Sequence, residues 1–204
     1  FVRMTYYIAK IEEKYGIPYI PTTGYNPEYI YKTYGPYSSN IASTVVDWAA
    51  RGGHMNIVKL LIDKGAENYN TIMAFGARGG HMNIVQFMLG KGADDFNWPM
   101  RYAAEEGHID IVQLMLDQGA DNFNGAMYGA AKGGHRDIVQ LMLDKGANDF
   151  NRTMLDAAHG GHIDIVKLMS DKGANDFNGA MRYAARVGHR DIVQLMLDKG
   201  ADNF

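Results

Sequence analysis

Residues 98–124 have the sequence WPMRYAAEEGHIDIVQLMLDQGADNFN, and the same pattern recurs along most of the chain. Its Gly-His pair is found six times, always 27 residues apart, at Gly53-His54, Gly80-His81, Gly107-His108, Gly134-His135, Gly161-His162 and Gly188-His189. A fixed period of this size is typical of proteins built from stacked structural units. The pattern divides the chain into a different segment, 1–43, and six repeats: 44–70, 71–97, 98–124, 125–151, 152–178 and 179–204, the last incomplete.

The first half of the unit predicts a short helix. Met100, Ala103 and Ala104 follow the i, i+3, i+4 spacing that puts apolar side chains on one helical face. We expect this helix to follow Asn97 and to end at Gly107, because glycine adopts the left-handed conformation that terminates helices.

The second half predicts another helix, between Asp110 and Gly119. A carboxylate at a cap or in the first turn is stabilised by the positive end of the helix dipole, and the glycine is the expected stop. Apolar residues surround most of this helix, so it has to be buried on more than one side: Ile111, Val112, Leu114, Met115 and Leu116. Only stacked units supply that burial, which predicts an all-α solenoid of helix-turn-helix repeats. Truncation of such an apolar residue, for instance Leu141→Ala, is predicted to cost about 2–5 kcal/mol.

Composition limits the classes of function. The 20 Lys and Arg residues face 23 Asp and Glu residues, and a net charge of −3 favours neither a nucleic acid nor an anionic membrane as partner. The absence of cysteine excludes disulfides and thiolate metal sites. Apolar runs are far shorter than the roughly 20 residues of a membrane-spanning helix, and no signal segment is recognised. We therefore expect a cytoplasmic protein.

The unit resembles an ankyrin repeat. The matching residues are Trp98-Pro99-Met100 and Ala103-Ala104 in the first helix, Gly107-His108 at the corner, Ile111-Val112-Gln113-Leu114-Met115-Leu116 in the second helix and Gly119-Ala120-Asp121 at the exit. The resemblance covers residues 44–204. Because the unit is six residues shorter than an ankyrin repeat, we expect the β-hairpin fingers to be missing, with Phe96, Phe123, Phe150 and Phe177 filling the connection.

The D-F-N exit makes the array similar to the ankyrin-like multigene families of large DNA viruses of amoebae. The ankyrin resemblance implies a protein-protein interaction scaffold that is not an enzyme, binds no cofactor and recognises a protein partner, directed at the host if the chain is viral. An alternative is a structural component of a large assembly such as a virion, held by its exposed solenoid ends.

The resemblance also implies where a partner binds. In the family, the two positions before Gly-His contribute to a concave face, and with the fingers absent the exposed first-helix positions share the task, among them Asp47 and Leu155. The predicted partner-binding residues are Arg51, Arg78, Arg101, Glu105, Glu106, Tyr128, Lys132, His159, Arg182 and Arg186. The charges of these side chains differ in sign from repeat to repeat, whereas the residues at the core positions barely change.

The repeated histidines and aspartates do not predict metal binding or catalysis. Stacked helices lie about 8–10 Å apart, whereas two histidine nitrogens on one zinc ion each lie within about 2.1 Å of it. We expect these histidines to hydrogen-bond backbone groups at the corner. An extra histidine, His159, stands three residues from His162, and a two-ligand site there is left open. Equivalent, exposed carboxylates lack the distinct environments that acid-base catalysis requires.

The ends of the array differ from its interior. Residues 1–43 hold nine of the 13 tyrosines and are expected to cap the first repeat. Asn26-Pro27-Glu28-Tyr29 matches the Asn-Pro-x-Tyr peptide of adaptor ligands, although it also fits the start of a short helix. The sixth repeat lacks the polar substitutions of a terminal unit, which predicts either that the native polypeptide continues into more repeats or a cap, or that the chain associates through this end.

Overall fold

The computed structural model describes residues 41–202, with side chains from Val45 onward. This part of the chain is made of twelve helices joined by short connections, and it contains no strand. The all-α repeat architecture predicted from the period is confirmed. In chain order the helices are α1 (Ile41–Arg51), α2 (Met55–Asp63), α3 (Tyr69–Arg78), α4 (Met82–Gly90), α5 (Asn97–Glu106), α6 (Ile109–Asp117), α7 (Phe123–Gly133), α8 (Arg136–Asp144), α9 (Phe150–Gly160), α10 (Ile163–Asp171), α11 (Phe177–Val187) and α12 (Arg190–Asp198).

Glycines end the helices of a unit where the sequence predicts. Gly107 caps α5 with a φ of 86°, and Gly119 follows α6 with a φ of 102°. Side chains are strained in this left-handed region, which explains glycine at both places. Asp110 lies in the first turn of α6, where its Oδ1 accepts a hydrogen bond from the N–H of Ile111 at 2.9 Å. His108 occupies the cap position itself.

One expectation about the connections is wrong. Phe123, Phe150 and Phe177 do not fill the connection but are the first residues of α7, α9 and α11. The helix starts this early because the preceding Asn or Asp side chain caps it: Asn122 Oδ1 accepts from the N–H of Gly125 at 2.9 Å, and Asp149 Oδ1 from the N–H of Arg152 at 3.1 Å. The connection is therefore even shorter than predicted.

The core is a continuous rod of small and medium apolar side chains. In the third repeat it takes in Met100, Ala103, Ile111, Val112 and Met115, all fully buried. Their equivalents in the neighbouring repeats belong to the same cluster. The leucines of the second helix are different: Leu114 and Leu116 only pack against the edge of the core. The second helix is thus buried on one broad side, not on most of its circumference as the sequence suggested.

Asparagine links each repeat to the next at the N-terminal end of the first helix. Asn97 Oδ1 accepts hydrogen bonds from the N–H of Asp121 at 3.0 Å and of Asn122 at 2.9 Å, and its Nδ2 donates to Asp121 Oδ1 at 3.1 Å. The equivalent asparagines of four other repeats accept hydrogen bonds from the backbone of the following repeat in the same way: Asn70, Asn124, Asn151 and Asn178. We call this contact the asparagine clamp. It satisfies exit N–H groups in a unit too short for a hairpin finger.

Histidine links the repeats at the opposite end of the first helix. His81 Nε2 lies 3.0 Å from the carbonyl oxygen of Arg51 in the preceding repeat, and because a carbonyl only accepts, this nitrogen carries the proton. The ring also lies against Gly53, where an added Cβ would come within 2.5 Å of Cε1. The same ring-on-glycine packing joins Gly80 with His108, Gly107 with His135, Gly134 with His162 and Gly161 with His189. His81 and His162 thus bond a backbone carbonyl, and in both cases it belongs to the preceding repeat.

The two layers of helices are not equally close-packed. First helices pack directly on the first helices of neighbouring repeats, whereas successive second helices seldom approach one another closely. At Gly129 an added Cβ would lie 2.6 Å from the carbonyl oxygen of Arg101, so the backbones of α5 and α7 almost touch. Closer spacing on one side bends a stack toward that side. The first helices therefore line the inner side of the array.

Two adjacent residues of α8 test the asymmetry of the second helix. Met142 is fully buried in the core, with 0% of its surface exposed to solvent, whereas Leu141 is half-buried. Met142→Ala should lower the free energy of unfolding by about 2–5 kcal/mol, because it leaves a cavity. Leu141→Ala should cost clearly less, since solvent already reaches this side chain. Urea denaturation followed by circular dichroism measures both, and equal losses would contradict the asymmetry.

The asparagine clamp is tested at Asn124. Asn124→Ala leaves the N–H groups of Asn148 and Asp149 without their acceptor, bonds of 2.8 and 3.0 Å. We expect a loss of about 1 kcal/mol, since water reaches this edge and replaces part of the bond. The matched control is Asn56→Ala at another exposed asparagine. Faster amide hydrogen exchange at 148 and 149, absent in the control, would be the direct signature, and unchanged exchange there would exclude the clamp.

Candidate protein-binding face

The side chains that differ most between repeats share the inner side of the array. They occupy the first, fourth, fifth, eighth and ninth positions of each unit, a spacing that puts most of them on one helical face. We call these side chains the inner face, which comprises Asp47, Trp48, Arg51, Thr71, Ala74, Phe75, Arg78, Trp98, Arg101, Tyr102, Glu105, Glu106, Tyr128, Lys132, Arg152, Leu155, Asp156, His159, Arg182, Tyr183, Arg186 and Val187. All ten predicted partner-binding residues belong to it.

Half of the predicted residues pair with one another across repeats. Arg78 lies between Glu105 and Glu106, at 3.8 and 3.1 Å, and its side chain is only 12% exposed. Arg51 reaches Glu106 at 3.6 Å, and Lys132 contacts Glu105 at 2.7 Å. Burial, and then the charge of Arg78, lower the pKa of Arg51. These charges hold four repeats together, so reversing Arg51 or Arg78 would disturb stacking as well as binding.

The ninth position of the unit is mostly closed to recognition, contrary to the expectation that both residues before Gly-His are exposed there. At Gly79, Gly133 and Gly160 an added Cβ would clash with a backbone carbonyl oxygen of the preceding repeat. Only Glu106 and Val187 place a side chain at this position, and Val187 is 42% exposed. The glycines serve the close approach of the first helices.

Aromatic side chains at the fifth position were missed by the sequence analysis. Trp48, Phe75, Tyr102 and Tyr183 occupy it in four repeats, and the rings of Phe75 and Tyr102 stack at a centroid distance of 6.5 Å. Trp98, which packs against Tyr102 at 5.8 Å, is half exposed. The signal was the recurrence of large rings at one position of the unit, outside the positions that the ankyrin resemblance emphasised.

Arg101 is held over an aromatic ring. Its guanidinium lies 5.4 Å from the centre of the Trp98 ring, and Arg78 lies 5.3 Å from that of Tyr102. A guanidinium over an aromatic face is attracted by the ring quadrupole. The Nε of Arg101 is buried and makes no hydrogen bond within the part of the chain that the structure describes. This nitrogen is therefore an unsatisfied buried donor.

Tyr128 is tied to the start of the following first helix, because Asp149 caps α9. Its hydroxyl donates a hydrogen bond of 2.5 Å to Asp149 Oδ2, and burial together with this bond raises the pKa of Tyr128. Arg152 lies over the Tyr128 ring at 5.9 Å and bonds Asp156 at 2.9 Å, a bond that raises the pKa of Arg152. These four residues form one polar cluster between the fourth and fifth repeats.

The remaining predicted residues lie in the last two repeats. His159 packs edge-on against Tyr183 at 6.1 Å, while His162 Nε2 is 3.1 Å from the carbonyl oxygen of Lys132. The two histidines thus have separate partners, and no group of three or more metal-ligating side chains forms among the described residues. Arg182 and Arg186 are exposed, and neither makes an ion pair within residues 45–202.

Asp47 departs from the expectation of an exposed recognition residue. It is 9% exposed, its Oδ1 has no hydrogen-bond partner in the described residues, and burial raises its pKa to about 7. The position corresponds to Arg101 in the third repeat and Arg182 in the sixth, which are more open. Asp47 is therefore a buried titrating group of the first repeat.

The stacked helices define this chain as a helical repeat protein, and comparison with known proteins identifies its family. The family model for ankyrin repeats matches residues 46–126, 100–178 and 126–204, in three copies. The chain belongs to the ankyrin repeat family. No curated protein sequence matches it. Among solved structures, the human ASB11 ankyrin repeat domain is similar with a TM-score of 0.55 and 23% identity, over 77% of this chain and 84% of that one. This likeness concerns the fold alone. None of the described helices is long and apolar enough to cross a membrane.

Asp47 predicts a pH dependence of stability. Between pH 3.8 and about 7 the unfolded chain has lost this proton while the folded chain retains it. The folded state then binds more protons, so stability falls as pH rises through this window. Asp47→Asn should remove this pH-dependent part of the free energy of unfolding. At pH 8 the first repeats of the variant should be more stable than those of the wild type by on the order of 2–4 kcal/mol.

Thermal unfolding of the wild type and Asp47→Asn at several pH values measures the difference directly, because other titrating groups are common to both. Asp63→Asn, at an exposed carboxylate, is the matched control and should keep the wild-type pH dependence. A wild type that gains stability relative to Asp47→Asn as pH rises would contradict the raised pKa.

Proposed function

We propose that the chain is a non-catalytic scaffold that binds a protein partner through the inner face. The single observation that supports this most is where the repeats differ. Core, corner and clamp residues recur almost unchanged, whereas the inner face changes in charge, size and aromaticity from one repeat to the next. A surface that needs only to be solvated has no reason to concentrate its variation on the side where the helices are closest.

The chemistry of the face suits recognition. Trp98 is 50% exposed and Val187 is 42% exposed, both beside arginines. Tryptophan, tyrosine and arginine dominate the energetics of protein interfaces, because they offer large contact areas with a polar handle. Family membership supports the same class of function, since ankyrin repeats generally mediate protein-protein interaction.

We further propose that the partner is a host protein and that the chain meets it in the cytoplasm. The similarity of the D-F-N exit to the ankyrin-like families of large DNA viruses of amoebae supports a host protein as the partner. We place the encounter in the cytoplasm, which agrees with the lack of cysteine.

The experiment compares two exposed apolar residues on opposite sides of the array. Trp98→Ala changes the inner face, and Ile109→Ala, which is 44% exposed at the start of α6, changes a second helix. After capture of partners on the immobilised protein, each partner is purified and its affinity for the variants is measured. Trp98→Ala should weaken binding by about tenfold or more, as for an interface anchor, and Ile109→Ala should not.

Cross-linking with mass spectrometry locates the contact independently. Cross-links confined to the second helices, or an affinity that ignores Trp98, would contradict binding through the inner face. The alternative function, a component of a large assembly, has its own signature. Ala185 is exposed in the sixth repeat, whereas the equivalent Ala104, Ala131 and Ala158 are buried; self-association abolished by Ala185→Lys, in the absence of any captured partner, would favour that alternative.

A further inference from the structure

The inner face has the opposite charge to the rest of the repeat array. It holds seven arginine and lysine residues against four acidic ones, whereas the other positions between 45 and 202 hold nine basic residues against sixteen acidic ones. The whole chain has a net charge of −3. Positive charge on one side of an acidic protein attracts anionic groups to that side and repels them from the others.

Internal ion pairs occupy only part of this positive charge. Arg51, Arg78 and Lys132 face Glu105 and Glu106. Arg152 is paired with Asp156 in a bond within α9, which leaves three inner-face cations without a carboxylate in ion-pair distance among the described residues: Arg101, Arg182 and Arg186.

The three unpaired arginines form two separate anchor points. Arg101, in the third repeat, has its guanidinium over the exposed Trp98 ring, 5.4 Å from the ring centre, and its Nε makes no hydrogen bond within the described residues. Arg182 and Arg186 lie one helical turn apart on α11, in the sixth repeat. A guanidinium binds a carboxylate through two parallel hydrogen bonds, which is the strongest and most directional pairing that these side chains offer.

We propose that the inner face binds an acidic protein segment, with carboxylates held by Arg101 at one anchor point and by Arg182 and Arg186 at the other. The proposal rests on the proposed function and specifies the partner. Three repeat spacings of about 8–10 Å separate the anchor points, a span of about 24–30 Å. An extended chain covers this with about seven to nine residues, so the partner carries two acidic groups at roughly that separation.

A protein segment fits this surface better than a nucleic acid does. A nucleic acid presents a charge at every nucleotide and binds by neutralising many phosphates. On the described inner face only three cations are unpaired, at two distant places, and the array around them is acidic. Glu105, Glu106 and Asp156 lie between or beside the anchor points and would repel a continuous polyanion.

The probe is a fluorescein-labelled synthetic peptide with two Glu-Glu pairs separated by about eight neutral residues, matching the span. Its controls are a peptide of the same composition with all four glutamates adjacent, and an oligothymidylate of similar length. Fluorescence anisotropy with the full chain should show binding of the spaced peptide that weakens as salt is added. The adjacent-glutamate peptide should bind less tightly, because it reaches only one anchor point.

The variant that tests the assignment is Arg101→Gln/Arg182→Gln/Arg186→Gln. It should lose at least about tenfold in affinity for the spaced peptide, as expected for removal of charge-assisted bonds. The control Arg136→Gln/Lys145→Gln/Lys167→Gln changes the net charge equally at exposed positions of the second-helix layer and should bind like the wild type. Circular dichroism verifies that both variants fold.

Several outcomes would overturn the proposal. They are no binding of the spaced peptide, equal binding by both triple variants, and tighter binding of the oligothymidylate, which would assign the face to nucleic acid. These failures differ from failure of the proposed function. A captured partner sensitive to Trp98→Ala but indifferent to the arginine triple variant would keep the inner face as the binding site and reject an acidic segment.

Discussion

Every other feature of this protein depends on the contact between one 27-residue unit and the next, which is made at both ends of the first helix. At the N-terminal end the asparagine clamp ties the exit of the following repeat, as Asn97 does with Asp121 and Asn122. At the C-terminal end a histidine ring lies on a glycine of the preceding repeat, as His81 does on Gly53. A single helical hairpin cannot bury the core-facing side of its second helix. The two contacts fix the register in which neighbouring hairpins share that burial.

Most of the fold could be predicted from the sequence, because the period and the helix-ending glycines are local signals. Met100 and Ala103 mark the buried side of the first helix, and Gly107 and Gly119 end the two helices where expected. The contacts between repeats could not be predicted, since each of them joins residues of two different repeats and leaves no signal within one unit. Asn97 accepts from groups 24 and 25 residues later, so within its own repeat it has the appearance of a simple cap. The histidine was correctly expected to bond backbone, but its acceptor is a carbonyl in the preceding repeat.

The candidate site shows the same division between local and non-local information. Helical spacing predicts which side chains share the inner side, and all ten predicted residues are there. Whether a charge on that side is available depends on its neighbours in other repeats. Arg78 and Arg101 have the same charge and lie on the same side, yet Arg78 is enclosed by Glu105 and Glu106 while Arg101 has no carboxylate partner among residues 45–202. Asp47, at the position of Arg101, is buried without a partner for Oδ1.

Stacking and recognition compete for the same helices. The first helices approach so closely that a side chain at Gly133 or Gly160 would meet a backbone carbonyl oxygen of the preceding repeat. The ninth position is thereby closed to variation in these repeats, and ion pairs such as Lys132 with Glu105 occupy part of the eighth. In the proposed function, recognition uses side chains that stacking does not. These are concentrated in the third and sixth repeats, where Trp98 and Val187 are exposed. A partner that binds as proposed reaches across the array, because Trp98 and Val187 lie three repeats apart.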